Sequence, residues 1–277
     1  MNTVKKFSNV LFREGIFNFV KRKLNISYLD SVTTYTIKYR EKETKIILNR
    51  KFGYVDMLIF RDGIYEKEII DSIYDVLDKN KVFVDIGANI GQHSLLLSNY
   101  CKQVYSFEPI PSVYNQFNES IKKNKFKNIT AFNLGIGETR ENKSFNYVKN
   151  HAGTSSFVKR DEKDITEVIT VNTDTLNNIL NDTKVDVVKI DVEGYEAIVI
   201  LGNKDFILKN KPIIFLEFSP HWILREGTYT SQQLFDFFNE NSFEVFSRNT
   251  GKIISASELN ITNQDNWIIK PINIELN

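Results

Sequence analysis

The sequence predicts an α/β fold with a doubly wound, seven-stranded and mostly parallel sheet, and three observations support this prediction. Apolar strands alternate with segments of helical spacing between residues 64 and 238, which is typical of parallel βαβ units. Acidic residues follow several of these strands, at the sheet edge where such folds bind ligands. The last two strands, Glu244 to Ser247 and Asn266 to Ile269, have no clear helix between them and should pair antiparallel.

The elements follow from local spacing in chain order. An amphipathic helix is predicted over Val4 to Leu24. A hairpin of Tyr35 to Tyr39 and Lys45 to Leu48 should follow. Val55 to Phe60 is a candidate third strand, and Ile64 to Leu77 is predicted to be a helix. The main strands should be Val82 to Asp85, Val104 to Phe107, Ile129 to Leu134, Val185 to Ile190 and Pro212 to Phe218. Further helical segments are Ser94 to Leu97, Ser112 to Lys123, Thr173 to Leu180 and Leu234 to Phe238.

These elements suggest one large domain with an appendage. No linker rich in Pro, Gly or Ser interrupts the chain of 277 residues. We expect residues 1–62 to form an extension packed on a catalytic core of residues 63–277, with an irregular insert over residues 135–171.

The most informative segment runs from Val82 to Gly91. An apolar strand is followed by a loop with Gly87 and Gly91, where the backbone can approach a ligand that a side chain would exclude. The next strand ends at Glu108, 23 residues after Asp85. A carboxylate there can accept both hydroxyls of a ribose, so the unit is predicted to hold a nucleoside.

The same loop argues against NAD. It lacks the G-x-G-x-x-G pattern, because Asn89 occupies the position of the middle glycine. Asp85 would repel a pyrophosphate and suits a ligand with an ammonium or sulfonium group. S-adenosylmethionine has both groups and a ribose.

Composition excludes several other classes. A net charge of +1 gives no global reason to expect a nucleic-acid partner, since phosphate binding normally requires a basic surface. One cysteine, Cys101, excludes an internal disulfide framework and suits a reducing cytosol. No apolar run reaches the length of roughly 20 residues that spans a bilayer. We therefore expect a cytoplasmic protein.

The segment from Val4 to Leu24 has a net charge of +5. We expect it to pack on its own domain or on a partner subunit, as in a homo-oligomer. Peripheral contact of residues 4–24 with the inner face of an anionic membrane is the alternative.

A second group of charges follows the strand that ends at Ile190. Lys189, Asp191 and Glu193 alternate along the chain and can share one face. Glu217 and His221 follow the next strand at the same sheet edge. A structural ion pair made by Lys189 is one interpretation; catalytic roles for Asp191, Glu193, Glu217 and His221 are the other.

Six motifs follow one another between residues 60 and 220, namely Gly63 to Glu66, Val84 to Gly91, Phe107 to Pro109, Gly153 to Ser156, Lys189 to Glu196 and Pro212 to Phe218. Together they resemble the motifs of the FkbM-type methyltransferases. One departure is Thr175-Leu176-Asn177-Asn178, where the family has Thr-Leu-Asp-Asp.

The resemblance implies a class I methyltransferase topology and S-adenosylmethionine-dependent O-methylation of a small molecule, often a sugar hydroxyl of a surface glycan or a secondary metabolite. The candidate cofactor-binding residues are Glu66, Asp85, Gly87, Asn89, Gly91, His93, Ser94, Glu108, Pro109 and Asp191. No metal ligand is assigned, and Mg²⁺ held by Asp191, Glu193 and Glu217 is kept as an alternative. A non-catalytic binding protein and a nucleotide-dependent oxidoreductase are the competing functions.

The acceptor pocket should form from the insert and from residues 218–230. Four amphipathic side chains there are of the kind that stack on a sugar ring, namely Trp222, Tyr229, Tyr147 and His151.

Overall fold

The computed structural model describes residues 32–49, 53–148, 151–159, 161, 167–259 and 263–272. The predicted helix from Val4 to Leu24 lies outside these residues, so its packing and its membrane contact stay predictions. Within the described ranges, no helix is both long and apolar enough to cross a membrane.

An eight-stranded sheet organises the core. Its strands are β3 (Val82–Ile86), β4 (Gln103–Phe107), β5 (Ile129–Phe132), β9 (Val187–Ile190), β10 (Ile213–Phe218), β11 (Phe243–Ser247), β12 (Lys252–Ile253) and β13 (Asp265–Pro271). Their spatial order is β12-β11-β13-β10-β9-β3-β4-β5. The strands from β10 to β5 are parallel, and β13, β11 and β12 are antiparallel to their neighbours.

This order confirms the predicted doubly wound class I methyltransferase topology and the antiparallel final pair. The predicted number of seven strands was one too low, because the two-residue strand β12 adds to the edge at β11. Both of its residues are exposed, so it has no apolar pattern that periodicity could detect.

Two smaller sheets accompany the main one. The hairpin of β1 (Val32–Tyr39) and β2 (Lys42–Asn49) forms a separate two-stranded sheet. Strands β6 (Gly135–Ile136), β8 (Glu167–Asp174) and β7 (Glu141–Tyr147) form a three-stranded sheet in this order. The helices are α1 (Tyr54–Asp62), α2 (Lys67–Tyr74), α3 (Gln92–Leu97), α4 (Pro111–Asn124), α5 (Leu176–Leu180), α6 (Glu196–Leu201), α7 (Lys204–Asn210), α8 (Pro220–Glu226) and α9 (Ser231–Glu240).

The prediction of a strand over Val55 to Phe60 was wrong, since these residues lie in helix α1. Glycines bound this helix: Gly53 is its N-cap and Gly63 its C-cap. Its buried residues include Leu58, Ile59 and Phe60. A short apolar run of this kind does not distinguish a strand from a helix by periodicity.

The hairpin of β1 and β2 packs on helix α4. The Ile47 N–H donates to Ser120 Oγ at 3.0 Å, and the Lys45 N–H donates to Asn124 Oδ1 at 2.8 Å. Tyr39 and Ile46 are almost completely buried in the cluster that covers this face of the main sheet. The N-terminal hairpin therefore shares the apolar core on the α4 side.

The sheet has an apolar cluster on each face because side chains alternate along each strand. Phe83 points into the cluster that contains the hairpin. Val82, Val84 and Ile86 point into the opposite cluster, with α6 and α9. Every residue of β3 is buried, as expected for a central parallel strand.

Candidate functional site

The site lies where the strand order reverses. Strand β3 lies between β4 and β9, so the chain leaves β3 toward β4 on one side and returns to β9 on the other. Asp85 on β3 is the register partner of Lys189 on β9. A crevice at such a reversal is the usual ligand site of an open α/β sheet.

The loop after β3 contacts the chain on both sides. Its Gly87 and Ala88 N–H groups donate to the Phe107 carbonyl oxygen at 3.0 and 2.9 Å. Gly87 has φ of +81°, and a Cβ there would lie 1.9 Å from the Asp191 carbonyl oxygen. The glycine therefore lets the loop pass against the end of β9 and join the two strand ends.

Glu108 links the same loop to the start of α4. Its two carboxylate oxygens accept the Asn89 and Ile110 N–H groups, each at 2.9 Å. Burial raises the pKa of Glu108 to about 7, against the lowering effect of these two N–H donors. Each oxygen keeps a lone pair for a further donor.

Glu108 lines a cavity of about 570 Å³, hereafter the Glu108 cavity. Its wall includes the apolar side chains of Pro109, Ile110, Ile136 and Phe145. A carboxylate beside an apolar slot provides a polar anchor and a surface for a planar ring.

Lys189 holds the two acids at the base of the site. It is only 5% exposed, and its Nζ lies 2.9 Å from Asp191 Oδ2 and 4.0 Å from Asp85 Oδ1. Burial lowers the pKa of Lys189, but the charges of Asp191, Asp85 and Glu66 outweigh it and raise the pKa overall. The structural ion pair foreseen for Lys189 is therefore present.

Asp85 lies behind the crevice and does not line the Glu108 cavity. Its side chain is fully buried. Ser94 Oγ donates to Asp85 Oδ2 at 2.6 Å and also contacts Ser106 Oγ at 2.8 Å. Asp85 and Ser94, both predicted to bind the cofactor, thus contact each other inside the fold, and Asp85 also lies beside Lys189.

Asp191 and Glu217 form a close acid pair, with one carboxylate oxygen of each within 4.8 Å of the other. The neighbouring Asp191 charge, with burial second, raises the pKa of Glu217. Burial would raise the pKa of Asp191, but the charge of Lys189 and hydrogen bonds to Glu217 and Lys189 lower it. The negative charge of the pair therefore lies mainly on Asp191.

Glu193 completes the acid cluster. One carboxylate oxygen from each of Asp191, Glu193 and Glu217 lies within 4.8 Å of the others. Glu193 adopts φ of +54°, which is uncommon for a residue with a side chain. Its carbonyl oxygen accepts a hydrogen bond from Ser156 Oγ at 2.8 Å, so the Gly153 to Ser156 motif supports this turn.

The acid cluster lines a second cavity of about 800 Å³, hereafter the Glu217 cavity. It adjoins the Glu108 cavity, and both are lined by Gly87, Asn89, Gly153, Asp191 and Glu193. A ligand that fills the Glu108 cavity can therefore present one end to the acid cluster.

Glu66 and His93 line the far side of the Glu217 cavity. Glu66 is the N-cap of α2 in a left-handed conformation, with φ of 49°. His93 Nε2 lies 3.7 Å from Glu66 Oε2 and has no hydrogen-bond partner among the described residues. Burial and the nearby Lys189 lower the pKa of His93 to about 3, so the imidazole is neutral.

Several predicted residues lie away from both cavities. Gly91 is required by packing, since a Cβ there would lie 2.0 Å from the Phe117 ring. His221 is exposed on α8 and is not among the residues that line the cavities. Asn177 and Asn178, which differ from the family pattern, lie on the exposed surface of α5 and do not line the two cavities either.

Of the four aromatic candidates for the acceptor pocket, His151 alone lines either the Glu108 cavity or the Glu217 cavity. His151 lies at the Glu217 cavity and stacks on Tyr54, with ring centroids 4.9 Å apart. Tyr147 is buried, Tyr229 donates to Glu138 Oε1 at 2.6 Å, and Trp222 packs against Gly194.

Sequence reasoning missed two tyrosines of the Glu217 cavity. Tyr54 and Tyr65 both line it, and Tyr54 is 51% exposed. A prediction of α1 as a helix would have placed Tyr54 on its first turn. The Gly53 and Gly63 pair around that segment was the available signal.

Comparison with known proteins identifies the family. The methyltransferase FkbM domain matches residues 85–245, which extend from β3 to β11 and include most of both cavities. The chain belongs to the FkbM methyltransferase domain family. Five of the six motifs that carry the resemblance overlap these residues, and the sixth, Gly63 to Glu66, precedes them.

The FkbM domain is also similar to curated methyltransferases over part of their length. A tRNA (guanine(37)-N(1))-methyltransferase of Plasmodium knowlesi is 31% identical over 130 residues, 47% of this chain and 18% of that protein. The hexuronic acid methyltransferase AglP of Haloferax volcanii is 25% identical over 142 residues, 51% of this chain and 58% of that protein.

Among solved structures, the methyltransferase FkbM of Methylobacillus flagellatus aligns with a TM-score of 0.44 and 15% identity. The alignment covers 76% of this chain and 46% of that chain.

Proposed function

We propose that this protein is an S-adenosylmethionine-dependent O-methyltransferase that acts on a hydroxyl of a small molecule, namely a sugar of a surface glycan or a secondary metabolite. The observation behind the proposal is the junction of the two cavities at Gly87, Asn89, Gly153, Asp191 and Glu193. A nucleoside in one cavity would place its reactive end beside acidic groups and an acceptor in the other.

The Glu108 cavity suits the adenosine half of the cofactor. Glu108 would accept the ribose hydroxyls with the lone pairs that Asn89 and Ile110 leave free. The adenine would lie against Pro109, Ile110 and Ile136. The methionyl end would then reach the acid cluster, where negative charge favours its ammonium and sulfonium groups.

Methyl transfer would take place at the junction as an in-line displacement. A lone pair of the hydroxyl oxygen forms the new O–C bond while the S–C bond breaks and the sulfur keeps its electron pair. Positioning the oxygen and the methyl group collinearly with the sulfur supplies much of the acceleration. The hydroxyl proton becomes strongly acidic as the O–C bond forms, and the ionised Asp191 would accept it.

The Glu217 cavity suits a polyhydroxylated acceptor. Tyr54, Tyr65 and His151 offer ring surfaces, while carboxylates offer acceptors for hydroxyl groups. Four acids line this cavity, with Lys189 as the cation among its described lining residues. A nucleic acid acceptor is disfavoured there, because acids repel its phosphates. AglP, a relative by sequence, is named for the methylation of a hexuronic acid.

Calorimetric titration with S-adenosylmethionine and S-adenosylhomocysteine tests the proposal. We expect micromolar binding to the wild type and at least a tenfold loss in Glu108→Ala, since the ribose anchor is removed. Glu244→Gln, an exposed change on β11, is the control and should bind normally.

The competing functions give different titrations. Binding of NAD in preference to S-adenosylmethionine would favour an oxidoreductase. Cofactor binding without turnover across a panel of sugar acceptors would favour a non-catalytic binding protein. No binding of either sulfur ligand would overturn the proposal and leave the fold unaffected.

A further inference from the structure

Three carboxylates meet at the junction of the two cavities. One oxygen from each of Asp191, Glu193 and Glu217 lies within 4.8 Å of the other two. Oxygen ligands lie about 2.0–2.6 Å from Mg²⁺ or Ca²⁺, so two ligands of one ion are separated by at most about 5 Å. The three oxygens are thus close enough to share one cation.

These acids come from two neighbouring strands and a turn, which makes their arrangement rigid. Asp191 directly follows β9, and Glu217 lies on β10, which pairs with β9 in parallel register. Glu193 lies in a turn supported by the Ser156 hydrogen bond to its carbonyl oxygen. The side chains of the cluster are partly exposed and line the Glu217 cavity.

A second and independent observation comes from His93 on α3. Its residue is 7% exposed, and Nε2 is buried without a hydrogen-bond partner in the described part of the chain. The ring lines the Glu217 cavity together with the three acids, and its Nε2 is directed toward Glu66 Oε2 at 3.7 Å. An unsatisfied buried imidazole nitrogen costs stability unless a bound species contacts it.

The charges of the cavity also favour a cation. Its described lining includes Glu66, Asp191, Glu193 and Glu217, against the single ammonium of Lys189. Lys189 is already bound to Asp191 and lies close to Asp85. Its charge is therefore directed toward Asp191 and Asp85.

We propose that Asp191, Glu193 and Glu217 bind a hard divalent cation such as Mg²⁺ or Mn²⁺, with His93 contacting its water shell. Binding releases the proton shared by Asp191 and Glu217, because a carboxyl group coordinates a cation in its ionised form. All-oxygen ligands select this class of ion. The inference rests on the proposed function for its role: the acceptor hydroxyl oxygen binds the cation, which lowers the hydroxyl pKa and orients it. The proton passes to Asp191, the O–C bond forms and the S–C bond breaks, as described above.

The test uses Mn²⁺ alone, without cofactor or acceptor. Tag-free full-length protein is freed of metal by chelator and dialysis, and binding is followed by calorimetry and by the paramagnetic resonance of free Mn²⁺. We expect one ion per chain in the wild type and at least tenfold weaker binding in Glu217→Gln and in Glu193→Gln. Glu244→Gln should bind like the wild type, and thermal unfolding verifies that each variant is folded.

Two outcomes would overturn the cation site: no stoichiometric Mn²⁺ binding by the wild type, or equal binding by all four proteins. Titration of the same samples with S-adenosylhomocysteine keeps the two proposals apart. Binding of S-adenosylhomocysteine without Mn²⁺ would reject the cation and retain the methyltransferase. If the wild type binds Mn²⁺, the two variants lose this binding and no protein binds S-adenosylhomocysteine, the cation site is retained and the proposed cofactor is rejected.

Discussion

Gly87 and Asp191 approach each other so closely that a Cβ on Gly87 would lie 1.9 Å from the Asp191 carbonyl oxygen. The neighbour is backbone at the end of β9, so a rotamer change cannot relieve the contact. Because Gly87 and Asp191 also line both cavities, this contact determines the geometry of the junction.

Gly87→Ala should destabilise the fold by about 2 kcal/mol or more, because the left-handed backbone and the clash with Asp191 both oppose it. Gly251→Ala is the matched control: φ there is +70°, and a Cβ added to Gly251 would meet no atom within 4 Å. Urea unfolding measures both. Equal losses in the two variants would show that backbone conformation alone explains the effect and that β9 can yield.

Lys189→Met should cost about 3–5 kcal/mol, because it leaves Asp85 and Asp191 without their shared cation in a buried site. Lys209→Met breaks an exposed ion pair with Asp182 and should change stability little. In denaturant unfolding, adding Asp85→Asn to Lys189→Met should recover part of the loss. Strict additivity of the two changes would contradict the proposed coupling between Lys189 and Asp85.

Glu108 should make stability depend on pH. Its pKa of about 7 in the fold lies above the ordinary 4.5, so its contribution is complete below pH 4.5 and is lost as pH rises through 7. Gln resembles the protonated acid at all pH values. The free energy of unfolding of the wild type should therefore fall relative to Glu108→Gln, by up to about 3 kcal/mol. Parallel curves between pH 4.5 and 8 would place the Glu108 pKa near its ordinary value.

Tyr54→Ala should weaken the binding of the acceptor and leave the binding of the cofactor unchanged, since Tyr54 lines the Glu217 cavity but not the Glu108 cavity. We expect the KM for a sugar acceptor to rise about tenfold, in keeping with the loss of one aromatic contact, at an unchanged affinity for S-adenosylhomocysteine. Tyr229→Ala removes a tyrosine that binds Glu138 away from both cavities and is the control. A similar KM for the two variants would show that Tyr54 does not contact the acceptor.

Local patterns predicted the main strands well because each is a short apolar run between polar residues. Strands β3, β4 and β10 lie within about one residue of their predicted positions. The predicted helix over Thr173 to Leu180 was correct only from Leu176, because β8 continues to Asp174 and Thr175 caps the helix by accepting the Asn178 N–H. At such a junction, the capping residue marks the helix start more reliably than apolar spacing.

The residues of the candidate site also differ in how well the sequence predicted their positions. Strand ends meet at one sheet edge, so their sequence positions already placed Glu108, Asp191, Glu193 and Glu217 near one another. Side chains on helices depend on the helix phase and on what packs nearby. His221 therefore lies outside the cavities, contrary to expectation, and Tyr54, which the sequence did not single out, lies at one of them.

The amino-acid sequence by itself determined the parallel sheet, its carboxyl-edge acids and the family, since these depend on short-range spacing and on motifs. Only the tertiary structure decided which acids line the crevice. Asp85 and Lys189 are far apart in the chain but adjacent in register, and their pairing takes Asp85 out of the crevice. The burial and pairing of two residues so far apart in the sequence arise from tertiary packing, which no local pattern encodes.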